Sequence, residues 1–114
     1  MAKRTRLDEI DTLLEQTADS NPKVRAQAVQ SLCPCHVKRN DARVWDRVLT
    51  LVDDPALDVR RWVFHLLGDG SPREREAEVV AAFERFTRDP DKKLQRRARQ
   101  VLAKYRQEGT INVL

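Results

Sequence analysis

Residues 19–32 read Asp19-Ser20-Asn21-Pro22-Lys23-Val24-Arg25-Ala26-Gln27-Ala28-Val29-Gln30-Ser31-Leu32, and the same order of residue types returns twice at a spacing of 35 residues. Asp19, Val24, Arg25, Ala28 and Leu32 are answered by Asp54, Val59, Arg60, Val63 and Leu67, and then by Asp89, Leu94, Gln95, Ala98 and Leu102. In each copy an Asp-containing turn leads into apolar residues at helical spacing. A fixed period of this size is the signature of stacked helical units, each of which buries its apolar face only when a neighbour covers it.

Working outward, each of these inner helices is preceded by a second amphipathic stretch. Leu7, Ile10, Leu13 and Leu14 form the first stripe, and adding 35 to the last three gives Trp45, Val48 and Leu49. Asn40 or Asp41 is placed to cap the second outer helix. The third is predicted to begin at Ser71-Pro72-Arg73-Glu74, with Ser71 as cap and Glu74 completing a capping box, and its stripe is Val79, Val80, Phe83 and Phe86. Pro34 stops the first inner helix, Gly68 and Gly70 the second and Gly109 the third. The expected fold is all-α: a short right-handed α-solenoid of three helical hairpins, six helices in all. Residues 1–109 make one domain with repeats over about 6–36, 40–70 and 71–108, and residues 110–114 form a tail.

Composition agrees. Only 3 glycines and 5% aromatic residues among 114 argue against a β-sandwich, which needs many turns and ring-filled strands. No apolar run reaches bilayer length, and the start Met1-Ala2-Lys3-Arg4-Thr5-Arg6 leads into no secretion-type apolar core, so a cytoplasmic protein is expected. The charge is uneven: residues 85–106 hold nine basic and two acidic side chains, +7, and the rest of the chain totals −3 against an overall +4. Such polarity steers a small array toward an acidic partner. The preferred reading of this polarity is plainer: a terminal helix takes charge on its uncovered face for solubility, because an array must end in a cap whether or not it has a ligand.

The order Asp, Pro, Val-Arg, small residue, Leu on the second helix of a pair resembles the HEAT repeat family, and more narrowly its compact bacterial HEAT-like variety, since 35 residues is shorter than the roughly 40–47 usual for HEAT units. The resemblance rests on Asp19-Ser-Asn-Pro-Lys-Val-Arg25 and Asp54-Pro-Ala-Leu-Asp-Val-Arg60 and covers nearly the whole chain. It implies that Asp19, Arg25, Asp54, Arg60 and Asp89 belong to a structural ladder joining neighbouring repeats. The third copy departs, with Gln95 at the arginine position, which suits a last repeat with no successor.

Three constellations bear on chemistry. Cys33-Pro34-Cys35-His36 gathers two thiols and an imidazole, and His65 on the neighbouring helix would complete four zinc ligands. The spacing is one residue short of the usual hook, so a packed thiol followed by a proline stop is the preferred reading, with no metal and no cofactor. The open side of the inner helices would present Arg61, Trp62, His65, Arg96 and Arg97, with Gln27, Trp62 and Arg97 forming one row across the array; Trp62 either anchors a partner or packs on the core edge. Catalysis has no candidate: no glycine-rich phosphate loop occurs, no nucleophile has an evident base, and His65 with Asp69 reads as an ordinary helical pair. The expected function is a non-enzymatic protein-interaction module, monomeric or weakly dimeric, offering this basic face to an acidic or mixed protein surface. The alternative is nucleic-acid binding through the same face plus Lys92, Lys93 and Arg99.

Overall fold

The computed structural model describes residues 6–37 and 40–111, apart from the side chain of Cys35. Its helices are α1 (Leu7–Gln16), α2 (Pro22–Ser31), the one-turn α3 (Pro34–Val37), α4 (Ala42–Thr50), α5 (Leu57–Gly70), α6 (Glu76–Phe86) and α7 (Lys92–Glu108), with 3₁₀ turns at Leu51–Asp53 and Arg73–Arg75. No strand occurs among the described residues. The six long helices form three hairpins, α1/α2, α4/α5 and α6/α7. Helices α1, α4 and α6 follow one another in an outer layer, α1 beside α4 and α4 beside α6, while α2 and α5 share the most extensive helix-to-helix contact among the described residues in the inner layer. The smallest extent, 22 Å, is two helix diameters of about 10–12 Å.

The turns into the inner helices are built from side chains. Asp19, Asp54 and Asp89 each accept a hydrogen bond from the backbone N–H two residues on, at Asn21, Ala56 and Asp91, over 2.8, 2.9 and 2.8 Å, so the same Asx turn recurs three times. Asn21 then caps α2 through Lys23 N–H, Asp91 caps α7 through Leu94 N–H, and in the outer layer Asp41 caps α4 through Arg43 N–H. Between the layers, Ile10, Val29, Leu32, Val48, Val59, Val63, Leu66, Leu67, Val79, Phe83 and Phe86 lose nearly all contact with solvent. Their apolar burial is the main force holding the repeats together.

Two boundaries differ from the sequence expectation. Helix α5 runs through Gly68 and ends at Gly70, so of the two glycines only the second marks the stop, and neither takes a left-handed conformation. Ser71 does not cap the following helix: its hydroxyl donates backward to Leu67 carbonyl at 2.8 Å, and α6 starts only at Glu76 after a 3₁₀ turn. At the other end Gly109, at φ 78°, terminates α7, and Ile111 packs on the core while residues 112–114 lie outside the described part.

Candidate interaction surface

Helix α5 buries Val59, Val63, Leu66 and Leu67, and the helical period leaves Asp58, Arg61, Trp62 and His65 toward the open side. These four line a depression of about 300 Å³. Trp62 is half-buried, resting on the core with part of its indole exposed, and it meets the His65 ring edge to face with centroids 5.6 Å apart. Packing and exposure therefore coexist in one side chain. Arg61 pairs with Asp58 at 3.4 Å and also lines a second depression of about 250 Å³ with Asp91, Lys93, Leu94 and Arg97. The Arg97 guanidinium lies over the Phe64 ring at 5.3 Å, a cation–π contact that holds it between α5 and α7.

The sequence-predicted face is thus brought together in part. Arg61, Trp62, His65, Lys93 and Arg97 border two adjoining depressions that share Arg61. Lys92, Arg96 and Arg99 are exposed on α7, but Arg96 stands about 100° of helical turn from Arg97 and lines neither depression. Gln27, the first member of the predicted row, lines a separate depression with Gln30, Ser31 and His36. Of the basic run, Arg85 is engaged in an ion pair with Asp53.

The turn-forming edge is occupied by charge pairs. Arg25 donates from Nε and Nη2 to the two carboxylate oxygens of Asp54 at 2.9 and 3.0 Å, and its Nη1 reaches the carbonyls of Asp19 and Ser20. Arg60 repeats the pattern one unit on, holding Asp89 at 2.8 and 3.2 Å and the carbonyls of Asp54 and Pro55. Burial pushes the Asp54 carboxyl up, but the hydrogen bonds from Arg25 and from Ala56 N–H and the charges of Arg25 and Arg60 outweigh it and hold the group below the usual carboxylate range. The hydrogen bonds to Asp54, opposed by burial, raise Arg25. Gln95 donates to Asp89 carbonyl, keeping the bond within its own repeat and lacking the one to a successor. A hollow of about 500 Å³ on this edge is lined by Asp54, Arg60 and Asp89, whose charged groups are already committed to one another.

A family profile described as HEAT repeats matches residues 10–103. The chain belongs to the HEAT-repeat family. No match was found among curated proteins or among solved structures. The HEAT match spans all three hairpins, including the third, whose inner helix departs from the arginine pattern. Among the described residues no helix is long and apolar enough to cross a membrane.

Sequence reasoning missed the cross-links between outer helices of successive HEAT units. Arg43 reaches Asp11, Arg75 reaches Asp46 and Arg47 donates to the buried Thr17 hydroxyl at 2.9 Å. The hydrogen bonds to Asp41 and then Asp11 raise Arg43, and the one to Asp46 raises Arg75. The acceptors Asp11 and Asp46 stand 35 residues apart, but the donors Arg43 and Arg75 stand 32 apart, so the period alone could not match each arginine to its aspartate. Of the predicted metal candidates, the structure brings Cys33 and His65 together with Asp69, while His36 is not among them and the side chain of Cys35 lies outside the described part.

Proposed function

We propose that this HEAT-repeat protein is an interaction module whose inner-helix face, with Arg61, Trp62, His65 and Arg97 at its centre and Arg96 on its rim, binds an acidic or mixed protein surface. The observation that carries the reading is the pair of adjoining depressions sharing Arg61, one bearing the half-exposed indole of Trp62 and the other the stacked guanidinium of Arg97. Tryptophan and arginine are among the residue types that dominate binding energy at protein interfaces, tryptophan through the large surface it buries and arginine through its planar guanidinium, which stacks and binds carboxylates bidentately. Arg97 is pre-positioned by Phe64, so little of its rotamer entropy remains to be lost on binding.

Carboxylates support a protein partner over nucleic acid. Asp58 stands in one depression and Asp91 in the other, interrupting the cationic track that a run of phosphates requires. The test is capture and mass-spectrometric identification of the partner from the native host, repeated with a Trp62→Ala/Arg97→Ala double variant whose circular dichroism is unchanged. Loss of capture supports the face; unchanged capture refutes it. Mixed-sequence DNA and RNA titrations at low and physiological salt decide the alternative, in which Lys92, Lys93 and Arg99 would add phosphate contacts and affinity would fall steeply with salt.

A further inference from the structure

At the edge opposite the ladder, the first and second repeats meet at three side chains, Cys33, His65 and Asp69, of which only His65 also belongs to the interaction face. Cys33, two residues past the end of α2, is buried at 1% exposure, whereas His65 and Asp69 stand on the surface of α5, one turn apart and on one face. One ligand atom from each lies within 4.8 Å of the other two. The Cys33 thiol is aimed at the carboxylate, Sγ donating to Oδ2 of Asp69 at 3.5 Å.

Asp69 is placed against the local electrostatics. It occupies the last turn of α5, which carries no basic residue, and unsatisfied carbonyls at a helix C-terminus already concentrate negative partial charge there. A cation bound at this point would reverse the repulsion. The arrangement is also peculiar to this junction: 35 residues on, Cys33, His65 and Asp69 are replaced by Gly68, Gln100 and Lys104, which offer no comparable ligand set.

We propose that Cys33, His65 and Asp69 form a binding site for one divalent cation of the zinc class. A thiolate and an imidazole select zinc or cobalt over magnesium or calcium, which prefer oxygen ligands alone. Thiolate and carboxylate together bring two negative charges, which a divalent ion neutralises. Ligand atoms around tetrahedral zinc are separated by about 3.5 Å, as bonds of 2.0–2.3 Å require, so rotation of the two exposed side chains on α5 toward the fixed sulfur completes the set. Binding replaces the thiol proton, which passes to water. A fourth position stays open for water or for a donor group from a partner, next to the Trp62 depression that His65 also lines.

The experiment is a titration of the reduced full-length protein with cobalt(II) alone, followed by zinc(II) competition. The expected result is one cobalt per chain, a thiolate-to-cobalt charge-transfer band in the near ultraviolet, and displacement by zinc. Cys33→Ala should abolish the band. His65→Ala and Asp69→Asn, both surface changes that leave the fold untouched, should each weaken binding at least about tenfold. Absence of a charge-transfer band at millimolar cobalt overturns the site. So does a band that survives Cys33→Ala, which would assign the sulfur to Cys35, or an affinity unchanged in both surface variants. None of these readouts depends on a protein partner, so the site and the interaction face fail separately.

Discussion

The two edges of the solenoid are built on different rules. Along the edge that carries the Asp turns, one arrangement is repeated: an Asx turn at Asp19, Asp54 and Asp89, and a side chain from the following helix, Arg25, Arg60 or Gln95, bound to the carbonyl of that aspartate. Along the far edge nothing repeats. Helix α2 has 10 residues and gives way to the one-turn α3, α5 has 14 and ends at Gly70, and α7 has 17 and ends on the left-handed Gly109. Hydrogen-bonded turns demand particular side chains at particular offsets, whereas a helix end tolerates any residue that stops it. The regular edge holds the repeats in register, and the irregular edge is where a feature peculiar to one junction, the Cys33, His65 and Asp69 cluster, is found.

The largest effect is expected from breaking the regular edge at its centre. Asp54 serves two partners at once, Arg25 across the junction and Ala56 N–H in its own turn, and its side chain is 5% exposed. Asp54→Ala leaves the guanidinium and the amide without their acceptor and should cost about 3–5 kcal/mol of unfolding free energy, read from urea denaturation at neutral pH. Acid sharpens the same point. Because the folded carboxyl titrates below its ordinary value of 3.8, its contribution is fully present above that pH and is lost as pH falls through the folded value. The stability gap between the protein and Asp54→Asn should therefore be constant above about pH 5 and shrink below the ordinary carboxylate value; a gap that grows on acidification would contradict the ladder.

The second junction offers a smaller, more selective break, because the third repeat already shows what a glutamine does at this position. Arg60→Gln should keep the bond to Asp54 carbonyl, as Gln95 keeps its bond to Asp89 carbonyl, and lose the ion pair to Asp89. The expected cost is about 2 kcal/mol, that of a largely buried carboxylate deprived of its charged partner. A loss as large as that of Asp54→Ala would mean that the within-repeat bond is not retained.

The same contrast explains how much could be read in advance. The 35-residue period exposed the inner helices and the positions of Arg25, Asp54, Arg60 and Asp89, because every copy meets the same geometric demand. Gly68 as a stop for α5 and Ser71 as a cap for α6 are the two signals that tertiary packing overrides: Gly68 continues the helix beside Phe83 as far as Gly70, and the Ser71 hydroxyl turns back to Leu67 carbonyl. The face was legible as a row of residue types, but the division of α7 into cations facing α5, such as Lys93 and Arg97, and cations turned away, such as Arg96, required the helix rotation. Asp69 was visible only as a helical neighbour of His65, since its approach to Cys33 crosses 36 residues of chain.

Two glycines at the far edge provide the finest discrimination, since the sign of the effect differs between them. Gly109 has φ 78°, and a Cβ there would meet nothing within 4 Å, so Gly109→Ala suffers only backbone strain of about 1 kcal/mol. Gly68 lies inside α5 with no left-handed conformation, and its Cβ would stand 3.6 Å from Cζ of Phe83, an ordinary van der Waals contact. Gly68→Ala should then stabilise the protein by about 0.5–1 kcal/mol through reduced freedom of the unfolded chain and better helix propensity. Thermal melts of the two variants beside the parent check both signs. Equal destabilisation would mean that α5 bends or frays at Gly68 in solution, and the far edge would then be set by a flexible stop in the second repeat as well as by the left-handed one in the third.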